Sequence, residues 1–314
     1  MKTVNVLMST YNGALYLKQQ IDSILNQSGV DVFLTIRDDG SSDNSLDILN
    51  QYSYLKNVEI IAGENVGFKE SFIALLLDLR QVNYDFYAFS DQDDYWMPQK
   101  LEKAVELIGD TQAPCLYVSD RQVADENLNL QGYNVYDKYP QYDWQASSIS
   151  RIIDCRGAGC TEVWNAYGQL MLNQYRPVGI PHDEWVTAVF TFLGQVKYDS
   201  NAYILYRRHK NVVTSTSIKR KKIGKLTKLG KAFRVFHNKD LSQHIDLRSK
   251  FLLEGYTDML TDSDKKSLTL LANYKKNLYT KFRILLSGSF RVTSRRAPLK
   301  YKIQKIMMLM TNGL

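Results

Sequence analysis

The fold is decided by residues 3–36, which read TVNVLMSTYNGALYLKQQIDSILNQSGVDVFLTI. A compact apolar run at 3–8 leads into a polar turn, and leucines and isoleucines then recur at helical spacing between residues 15 and 25. A second apolar run follows at 32–36. A strand, an amphipathic helix and another strand in this order predict a βαβ unit with parallel strands.

The same alternation continues along the chain. Helical patterns at 43–51 and 68–79 alternate with apolar runs at 58–62 and 85–90, and Pro98 begins a further helix that is predicted to end near residue 108. These elements predict the α/β class, with a Rossmann-like, mostly parallel sheet flanked by helices. Each polar cluster follows the carboxyl end of a strand, which is the edge where ligands bind in open α/β sheets.

Charge divides the chain into two parts. Residues 207–314 hold 26 Lys and Arg against 6 Asp and Glu, whereas the preceding residues hold 14 against 27. Small polar residues and a lysine run predict a boundary near residue 215, between an acidic α/β domain at 1–215 and a basic, mainly helical region at 216–314. This asymmetry suggests that one part needs carboxylates and that the other faces an anionic surface.

Two segments of the basic region, 219–231 and 291–305, combine Lys and Arg with apolar residues. Amphipathic helices of this kind bind anionic membrane surfaces, so we expect a peripheral contact with the membrane. The alternative is a solvated basic face that packs on the catalytic domain, and the region is also a candidate homodimer contact. A nucleic-acid partner is not expected, because no recognised binding motif accompanies the charge.

Targeting, membrane-spanning and cysteine patterns exclude several classes of protein. The apolar run at the start is too short for a signal peptide, and no stretch approaches the roughly 18 uninterrupted apolar residues of a membrane span. We therefore expect a soluble or peripheral cytoplasmic protein. Cys115, Cys155 and Cys160 lack CxxC spacing, so they predict buried thiols rather than a disulfide framework or a zinc site.

The acidic turn SDQDD at 90–94 follows the strand predicted at 85–90. Three carboxylates within four positions repel one another unless a cation lies among them. Mg²⁺ or Mn²⁺ is the natural partner, because such hard ions take oxygen ligands and share them with substrate phosphates. The alternative interpretation is a solvated acidic turn that caps the next helix.

Two further polar clusters are predicted to lie at strand ends. The turn STYNG at 9–13 offers hydroxyls and an aromatic ring that can stack on a base, and RDDGSSD at 37–43 has more carboxylates than helix capping requires. A carboxylate can accept hydrogen bonds from a pyrimidine imide or a ribose. Taken singly, each cluster is also consistent with an ordinary turn.

Several motifs in a fixed order give the chain a resemblance to a known family. They are STYNG and RDDGSSD after strands, then GENVGF, FSDQDDYW, GAGCTEVWN at 157–165, HDEW at 182–185 and YRRH at 206–209. Over about residues 1–212 they resemble the inverting family 2 glycosyltransferases of the GT-A fold. FSDQDDYW, HDEW and YRRH are most similar to the bacterial rhamnosyltransferase branch that builds cell-wall and capsular polysaccharides.

The resemblance implies binding roles for specific residues. Those implied for the donor are Ser9, Tyr11, Asp39, Lys69, Asp91, Arg207 and His209. Those implied for a divalent metal are Asp93, Asp91 and His209. In this scheme Ser9, Tyr11 and Asp39 surround the donor base, Lys69 contacts the diphosphate, and Arg207 and His209 close over the diphosphate or metal.

The resemblance also implies Asp183 as the catalytic base, with Gly159, Cys160, Glu184 and Trp185 on the acceptor side. Because consecutive helix residues point about 100° apart, only one of Asp183 and Glu184 can face the sugar, and we favour Asp183. A carboxylate there takes the acceptor proton on the face opposite the leaving group. One direct displacement then inverts the anomeric centre without a covalent enzyme nucleophile.

The implied activity is sugar transfer from a nucleotide-diphosphate donor, with dTDP-rhamnose favoured and UDP-sugars as the other donors. The implied acceptor is a hydroxyl of a lipid-linked glycan or oligosaccharide at the inner face of the plasma membrane. Two alternatives stay open. A sugar nucleotidyltransferase would need a Gly-rich basic loop where this chain has STYNG, and the acids at 39, 91, 93 and 183 argue against a nucleotide-sugar-binding scaffold without catalysis.

Overall fold

The computed structural model describes residues 1–77, 84–135, 148–153, 157–209, 244–286, 306 and 308–310. Its contacts divide the chain into two compact units, Met1–Tyr139 with Cys155–Arg207, and Pro140–Asp154 with Arg208–Leu314. The boundary predicted near residue 215 falls outside the described residues, as do the basic segments at 219–231 and 291–305. The division into a catalytic domain and a basic region therefore stays a prediction.

The first unit is built on a mixed sheet with nine strands among its described residues. They are β1 (Lys2–Thr10), β2 (Val30–Asp38), β3 (Val58–Ala62), β4 (Phe86–Ser90), β5 (Tyr95–Trp96), β6 (Cys115–Ala124), β7 (Leu130–Asn134), β8 (Val163–Asn165) and β9 (Gln195–Arg207). Their order is β3-β2-β1-β4-β8-β6-β9-β5, and β7 pairs with β6. The first four strands of this order run parallel, and β8 is antiparallel to both β4 and β6.

Helices flank the sheet and also form the second unit. The first unit contains α1 (Leu17–Leu25), α2 (Ser45–Asn50), α3 (Phe68–Leu77), α4 (Lys100–Ile108), α6 (Ala166–Leu172) and α7 (His182–Leu193). The second contains α5 (Ser148–Ile153), α8 (Ile245–Tyr256), α9 (Asp262–Ala272) and α10 (Leu278–Leu286). The predicted α/β class and the helical C-terminal region are confirmed.

Alternation along the strands sends apolar side chains to both faces of the sheet. On one face, Val4, Val6 and Met8 of β1 pack with buried residues of α1, α2 and α4. On the other face, Ser9 contacts Ser71 of α3, and β4 meets α3, α6 and α7. A sheet covered on both sides buries its central strands completely, which is why β4 reads as a continuous run of apolar residues.

The described part of the second unit is a small helical assembly. α9 packs against α8, α10 and α5, and Thr261 caps α9 by accepting a hydrogen bond from the Asp264 N–H group. Its buried apolar residues include Leu252, Leu268 and Ile284. Across the described helices of both units, none has the length and apolar composition needed to cross a lipid bilayer.

Candidate functional site

Polar turns meet at the carboxyl edge of the sheet, where β1 lies beside both β2 and β4. Gln92 of the acidic turn (90–94) reaches the turn after β1. Its side-chain carbonyl accepts hydrogen bonds from Thr10 Oγ1 (2.7 Å) and Tyr11 N (2.9 Å), and its amide donates to the Tyr11 carbonyl (3.2 Å). Gly13 is required at this crossing, because a Cβ there would meet Gln92 Oε1 at 2.3 Å.

The turn after β1 is also joined to the turn after β2. Asn12 donates its backbone N–H to Ser41 Oγ (2.9 Å), and its side-chain oxygen accepts from the Ser42 N–H group (2.8 Å). Asn12 has φ +47°, in the left-handed region that asparagine tolerates better than most residues. Side-chain hydrogen bonds therefore connect the three turns directly.

Asp39 directly follows β2, and its side chain is 1% exposed. Its carboxylate accepts hydrogen bonds from the backbone N–H groups of Val66 (3.0 Å) and Gly67 (2.9 Å), and it pairs with the Arg37 guanidinium. These three interactions use most of the roughly four lone-pair sites that a carboxylate offers. The contact between Asp39 and a donor base stays a prediction.

The acids of the turn at 90–94 are withdrawn from water. Asp94 is fully buried, and Asp91 is partly buried. Burial and the charges of Asp93 and Asp183 raise the pKa of Asp91 to about 7. Burial and the charges of Asp93 and Asp91 raise the pKa of Asp94 well above its ordinary value. Without a cation, the turn therefore carries less negative charge at neutral pH than its sequence indicates.

Two of these acids form a group with Cys160 that could hold a cation. One ligand atom each from Asp91, Asp94 and Cys160 lies within 4.8 Å of the others, and Asp94 Oδ2 has no hydrogen-bonding partner among the described residues. The carboxylates fit a hard divalent ion. The thiol does not, because burial and the charges of Asp94 and Asp91 raise its pKa well above its ordinary value. Of the predicted metal ligands, Asp91 belongs to this group.

Lys100, the first residue of α4, brings a buried amine close to the same acids. Its Nζ atom lies 3.4 Å from the centroid of the Trp96 ring and has no hydrogen-bonding partner in the part of the chain that is described. Burial lowers the pKa of Lys100 to about 7, and the charges of Cys160 and Asp94 oppose that shift. In its protonated form the amine is an internal counter-charge to Asp94.

Arg207, at the end of β9, binds the acidic turn. Its backbone N–H donates to Asp94 Oδ1 (3.1 Å), and its Nε donates to the Asp93 carbonyl (2.7 Å). Its two terminal nitrogens donate to Gln19 Oε1 (2.6 Å) and to the Glu126 carbonyl. Three of the five N–H groups that a guanidinium offers are used in this way, and the residue is 2% exposed.

The first turn of α7 carries the predicted base. Oδ1 of Asp183 accepts a hydrogen bond from the backbone N–H of Glu184 (2.8 Å), at the helix end where the dipole favours a carboxylate. Together with burial, the charge of Asp183 raises the pKa of Asp91. Geometry agrees, because Cys160 and Asp91 offer ligand atoms within 4.8 Å of each other and a Cβ at the adjacent Gly159 would lie 2.3 Å from His182 Nε2, so the first turn of α7 lies near the predicted donor-side acid.

His182, the first residue of α7, is buried and packs against aromatic side chains. Its imidazole stacks on Phe72 at 3.8 Å between ring centroids and meets Phe89 edge-on at 4.5 Å. A Cβ at Gly159 would lie 2.3 Å from His182 Nε2, so only glycine fits there. Burial lowers the pKa of His182 to about 4, against the opposing influence of Asp183. The ring is therefore neutral and structural at neutral pH.

The other predicted site residues have varied environments. Ser9 Oγ shares a hydrogen bond with Ser71 Oγ (2.6 Å), Tyr11 is 47% exposed, and Lys69 Nζ donates to the Gly179 carbonyl (3.0 Å). Cys160 and Trp185 are buried, and Glu184 is partly exposed. Arg207 belongs to the first unit, whereas His209 belongs to the second. Their roles toward donor and acceptor stay predictions.

Sequence reasoning did not assign roles to Gln92, Lys100 or Glu162. A signal was present for two of them, because Lys100 occupies a core-facing position of an amphipathic helix and Glu162 interrupts the largely apolar stretch CTEVW. A charged residue at a position where periodicity predicts a core residue is rarely fully buried unless it is paired. Nothing in the sequence indicates which turn Gln92 contacts.

Comparison with known proteins supports the family resemblance. Residues 5–160 match the model of the family described as Glycosyl transferase family 2. The dTDP-rhamnosyl transferase RfbG of Shigella flexneri is 28% identical over 251 residues, which cover 75% of this chain and 82% of that protein. A chondroitin synthase of Pasteurella multocida (strain Pm70) is 32% identical over 134 residues, but these are 42% of this chain and only 14% of that synthase.

Solved structures show the same fold. Residues 1–349 of S. aureus TarS in complex with UDP-GlcNAc give a TM-score of 0.58 at 15% identity, covering 99% of this chain and 90% of that one. The complex of the same protein with UDP gives a TM-score of 0.57 at 18% identity, covering 99% and 89% of the two chains. The predicted GT-A fold is confirmed.

The buried His182 predicts a pH dependence of stability. Its pKa falls to about 4 in the folded protein, from about 6.5 in an unfolded chain. Its contribution is therefore present above pH 6.5 and is lost as the pH falls toward 4. Between pH 7 and pH 5 this residue should cost the wild type about 2 kcal/mol of unfolding free energy.

Chemical denaturation of the wild type and of His182→Gln at both pH values measures this effect. The variant should lose less stability than the wild type over the interval, because its amide does not titrate. Equal losses in the two proteins would show that His182 is not held neutral by the fold.

Proposed function

The chain belongs to glycosyl transferase family 2, and we propose that it is an inverting enzyme that moves a sugar from a nucleotide diphosphate to a glycan hydroxyl. The observation that carries this proposal is that one segment contacts both acids' surroundings: Cys160 offers a ligand atom within 4.8 Å of one from Asp91, and the neighbouring Gly159 abuts His182, which directly precedes Asp183. One acid lies in the first turn of α7, on the acceptor side of the family scheme, and the other follows β4 on the donor side. Their charges interact within one site.

The chemistry requires one displacement. An acceptor hydroxyl is a weak nucleophile until a base removes its proton, and Asp183 is the carboxylate that takes it. As the hydroxyl oxygen bonds to the anomeric carbon, the bond from that carbon to the diphosphate oxygen breaks, and its electron pair leaves with the diphosphate. Attack opposite the leaving group inverts the anomeric centre, and no enzyme nucleophile is required.

The negative charge that develops on the leaving diphosphate needs stabilisation. A divalent cation, Mg²⁺ or Mn²⁺ held by Asp91 and Asp93, would supply positive charge there. Arg207 is fixed by its hydrogen bonds to the Asp93 carbonyl, Gln19 and Glu126, which hold its positive charge beside the acidic turn. A guanidinium that is already ordered loses little entropy when the diphosphate binds.

The donor that we propose is dTDP-rhamnose. The support is the similarity to the Shigella flexneri dTDP-rhamnosyl transferase over most of both chains. The structural relative TarS was solved with UDP and with UDP-GlcNAc, so a UDP-sugar is the competing donor. A screen of donor hydrolysis against dTDP-, UDP- and GDP-sugars separates these options, and activity with none of them would contradict the proposed function.

We further propose that the chain acts at the inner face of the plasma membrane on a lipid-linked or oligosaccharide acceptor. The support is chemical: residues 207–314 are strongly basic, and α10 exposes an apolar stripe. Leu278, Phe282 and Leu286 recur every four residues on this helix and are 60%, 52% and 84% exposed. Apolar side chains on a basic helix can enter the headgroup region of an anionic membrane.

Replacing the proposed base tests the chemistry. Asp183→Asn keeps the shape of the side chain but cannot take the acceptor proton, so turnover should fall by about 10²-fold or more. Nucleotide-diphosphate binding should change little, because the proposed base acts on the acceptor. Glu184→Gln is the matched control and should keep most of its activity. A transfer assay and calorimetry on both variants measure these effects, and the reverse pattern would assign the base to Glu184.

Removing divalent metal tests the cation. Excess EDTA should abolish transfer, and Mg²⁺ or Mn²⁺ should restore it, because the proposed leaving-group stabilisation requires the ion. Asp93→Asn should weaken binding of the nucleotide diphosphate in the presence of metal. Asp110→Asn is the matched control, since the Asp110 side chain is 89% exposed and pairs with Lys2 at the surface. Full transfer activity in EDTA would contradict a metal role.

Membrane binding is tested on the full chain. The wild type should sediment with liposomes that contain anionic lipid, and binding should fall as salt rises because charge is screened. The double variant Phe282→Ser, Leu286→Ser should bind more weakly. Leu130→Ser is the control, because Leu130 is also exposed (55%) but lies in the acidic part of the chain. Equal sedimentation of all three proteins would contradict the role of α10.

A further inference from the structure

The segment Gly157–Glu162 connects the two sides of the proposed site. Its last residue accepts a backbone hydrogen bond at its carbonyl from Phe89 N (3.3 Å), in the strand that leads into the acidic turn. The Glu162 side chain contacts α7, where its Oε1 atom accepts a hydrogen bond from Thr187 Oγ1 (2.7 Å). Glu162 thus forms hydrogen bonds with both β4 and α7.

Thr187 and His182 hold α7 on both sides of Asp183. His182 directly precedes Asp183 and is fixed between aromatic rings and Gly159. Thr187 follows Asp183 by four residues, so the two side chains lie on the same face of the helix, one turn apart. The hydrogen bond of Thr187 therefore lies one helical turn from Asp183, on the same face of α7.

The backbone is shaped to allow this contact. A Cβ on Gly157 would lie 1.9 Å from Thr187 Oγ1 and 2.4 Å from Glu162 Oε1, so any other residue would push the two partners apart. Gly159 has the same relation to His182. The two glycines thus allow the segment Gly157–Glu162 to approach both Thr187 and His182, which lie on either side of Asp183 in α7.

The surroundings of Glu162 disfavour its ionised form. It is fully buried, and its Oε2 atom has no hydrogen-bonding partner among the residues that the structure describes. Burial and the charge of Asp183 raise the pKa of Glu162 well above its ordinary value. A neutral carboxyl can accept the Thr187 hydroxyl without adding a second negative charge beside Asp183.

We propose that Glu162 and Thr187 are positioning residues for transfer, whose hydrogen bond holds Asp183 at a fixed place relative to Asp91. Neither residue reaches substrate, because Glu162 is fully buried and Thr187 is 1% exposed. The inference rests on the proposed function, since it assigns to Asp183 the removal of the acceptor proton. A displacement of a catalytic group by about 1 Å can lower turnover by about 10²-fold.

Thr187→Val tests the link with minimal change in shape. It removes the hydroxyl but keeps a branched side chain of similar size, so kcat for transfer should fall about 10- to 100-fold. The dissociation constant for the nucleotide diphosphate should not change, because the donor-side turns are untouched. Hydrogen exchange at the amides of the first turn of α7 should become faster. Thr187→Ser and Glu162→Gln keep a donor and an acceptor, respectively, and should remain close to wild type.

The outcomes separate this inference from the proposed function. If the wild type transfers sugar, Asp183→Asn is inactive and Thr187→Val is fully active with unchanged exchange, the positioning role is wrong while the function stands. If Thr187→Val lowers donor affinity and kcat together, the Glu162–Thr187 hydrogen bond stabilises the fold in general rather than the position of Asp183, and the inference is likewise overturned. If the wild type transfers no sugar from any donor, the proposed function is wrong. Faster hydrogen exchange in α7 of Thr187→Val would then support only the structural role of the Glu162–Thr187 hydrogen bond.

Discussion

The burial of negative charge at the carboxyl edge of the sheet is the constraint on which the rest of the site depends. An ionised carboxylate that leaves water loses a large hydration energy unless a cation, a proton or several N–H groups replace it. Asp39 is stabilised by Arg37 and two backbone N–H groups. Asp91 and Asp94 are stabilised less completely, so their pKa values rise and the turn that carries them remains ready to accept positive charge.

Two buried carboxyl groups meet this constraint in different ways. Asp94 accepts the Arg207 backbone N–H and lies close to the Lys100 amine, so its environment contains cationic groups. Glu162 has a hydroxyl as its partner and lies near the charge of Asp183. The first arrangement suits a group that exchanges charge with a ligand, and the second suits a group that holds a hydrogen bond between two elements of the fold.

The sequence predicted the parts of this site that follow from periodicity and from the edge rule for parallel sheets. The βαβ pattern at 3–36 and the polar clusters after β1, β2 and β4 lie where they were expected. The proximity of Asp183 to Asp91 was implied only by the family resemblance, because α7 is distant in sequence and enters through an irregular region. Local patterns cannot predict such a contact.

Side-chain partners were the part that could not be predicted. The three hydrogen bonds of Gln92 depend on the exact separation of two turns, and the Thr187 partner of Glu162 depends on how α7 docks. Lys100 and Glu162 did interrupt apolar patterns, which indicates that a charged residue is buried but not what surrounds it. The sequence does not predict β7 for a different reason. Leu130–Asn134 has no alternating apolar pattern, and it forms a strand by pairing with β6.

The bonds from Gln92 to the turn after β1 have a thermodynamic consequence. They hold the backbone around Tyr11 in one conformation while leaving that ring 47% exposed. A flat ligand that stacks on the ring meets a surface that is already ordered, so less conformational entropy is lost on association than with a free loop. Residue 92 can therefore tune affinity for such a ligand from outside the contact surface, by changing how rigid the turn is before the ligand arrives.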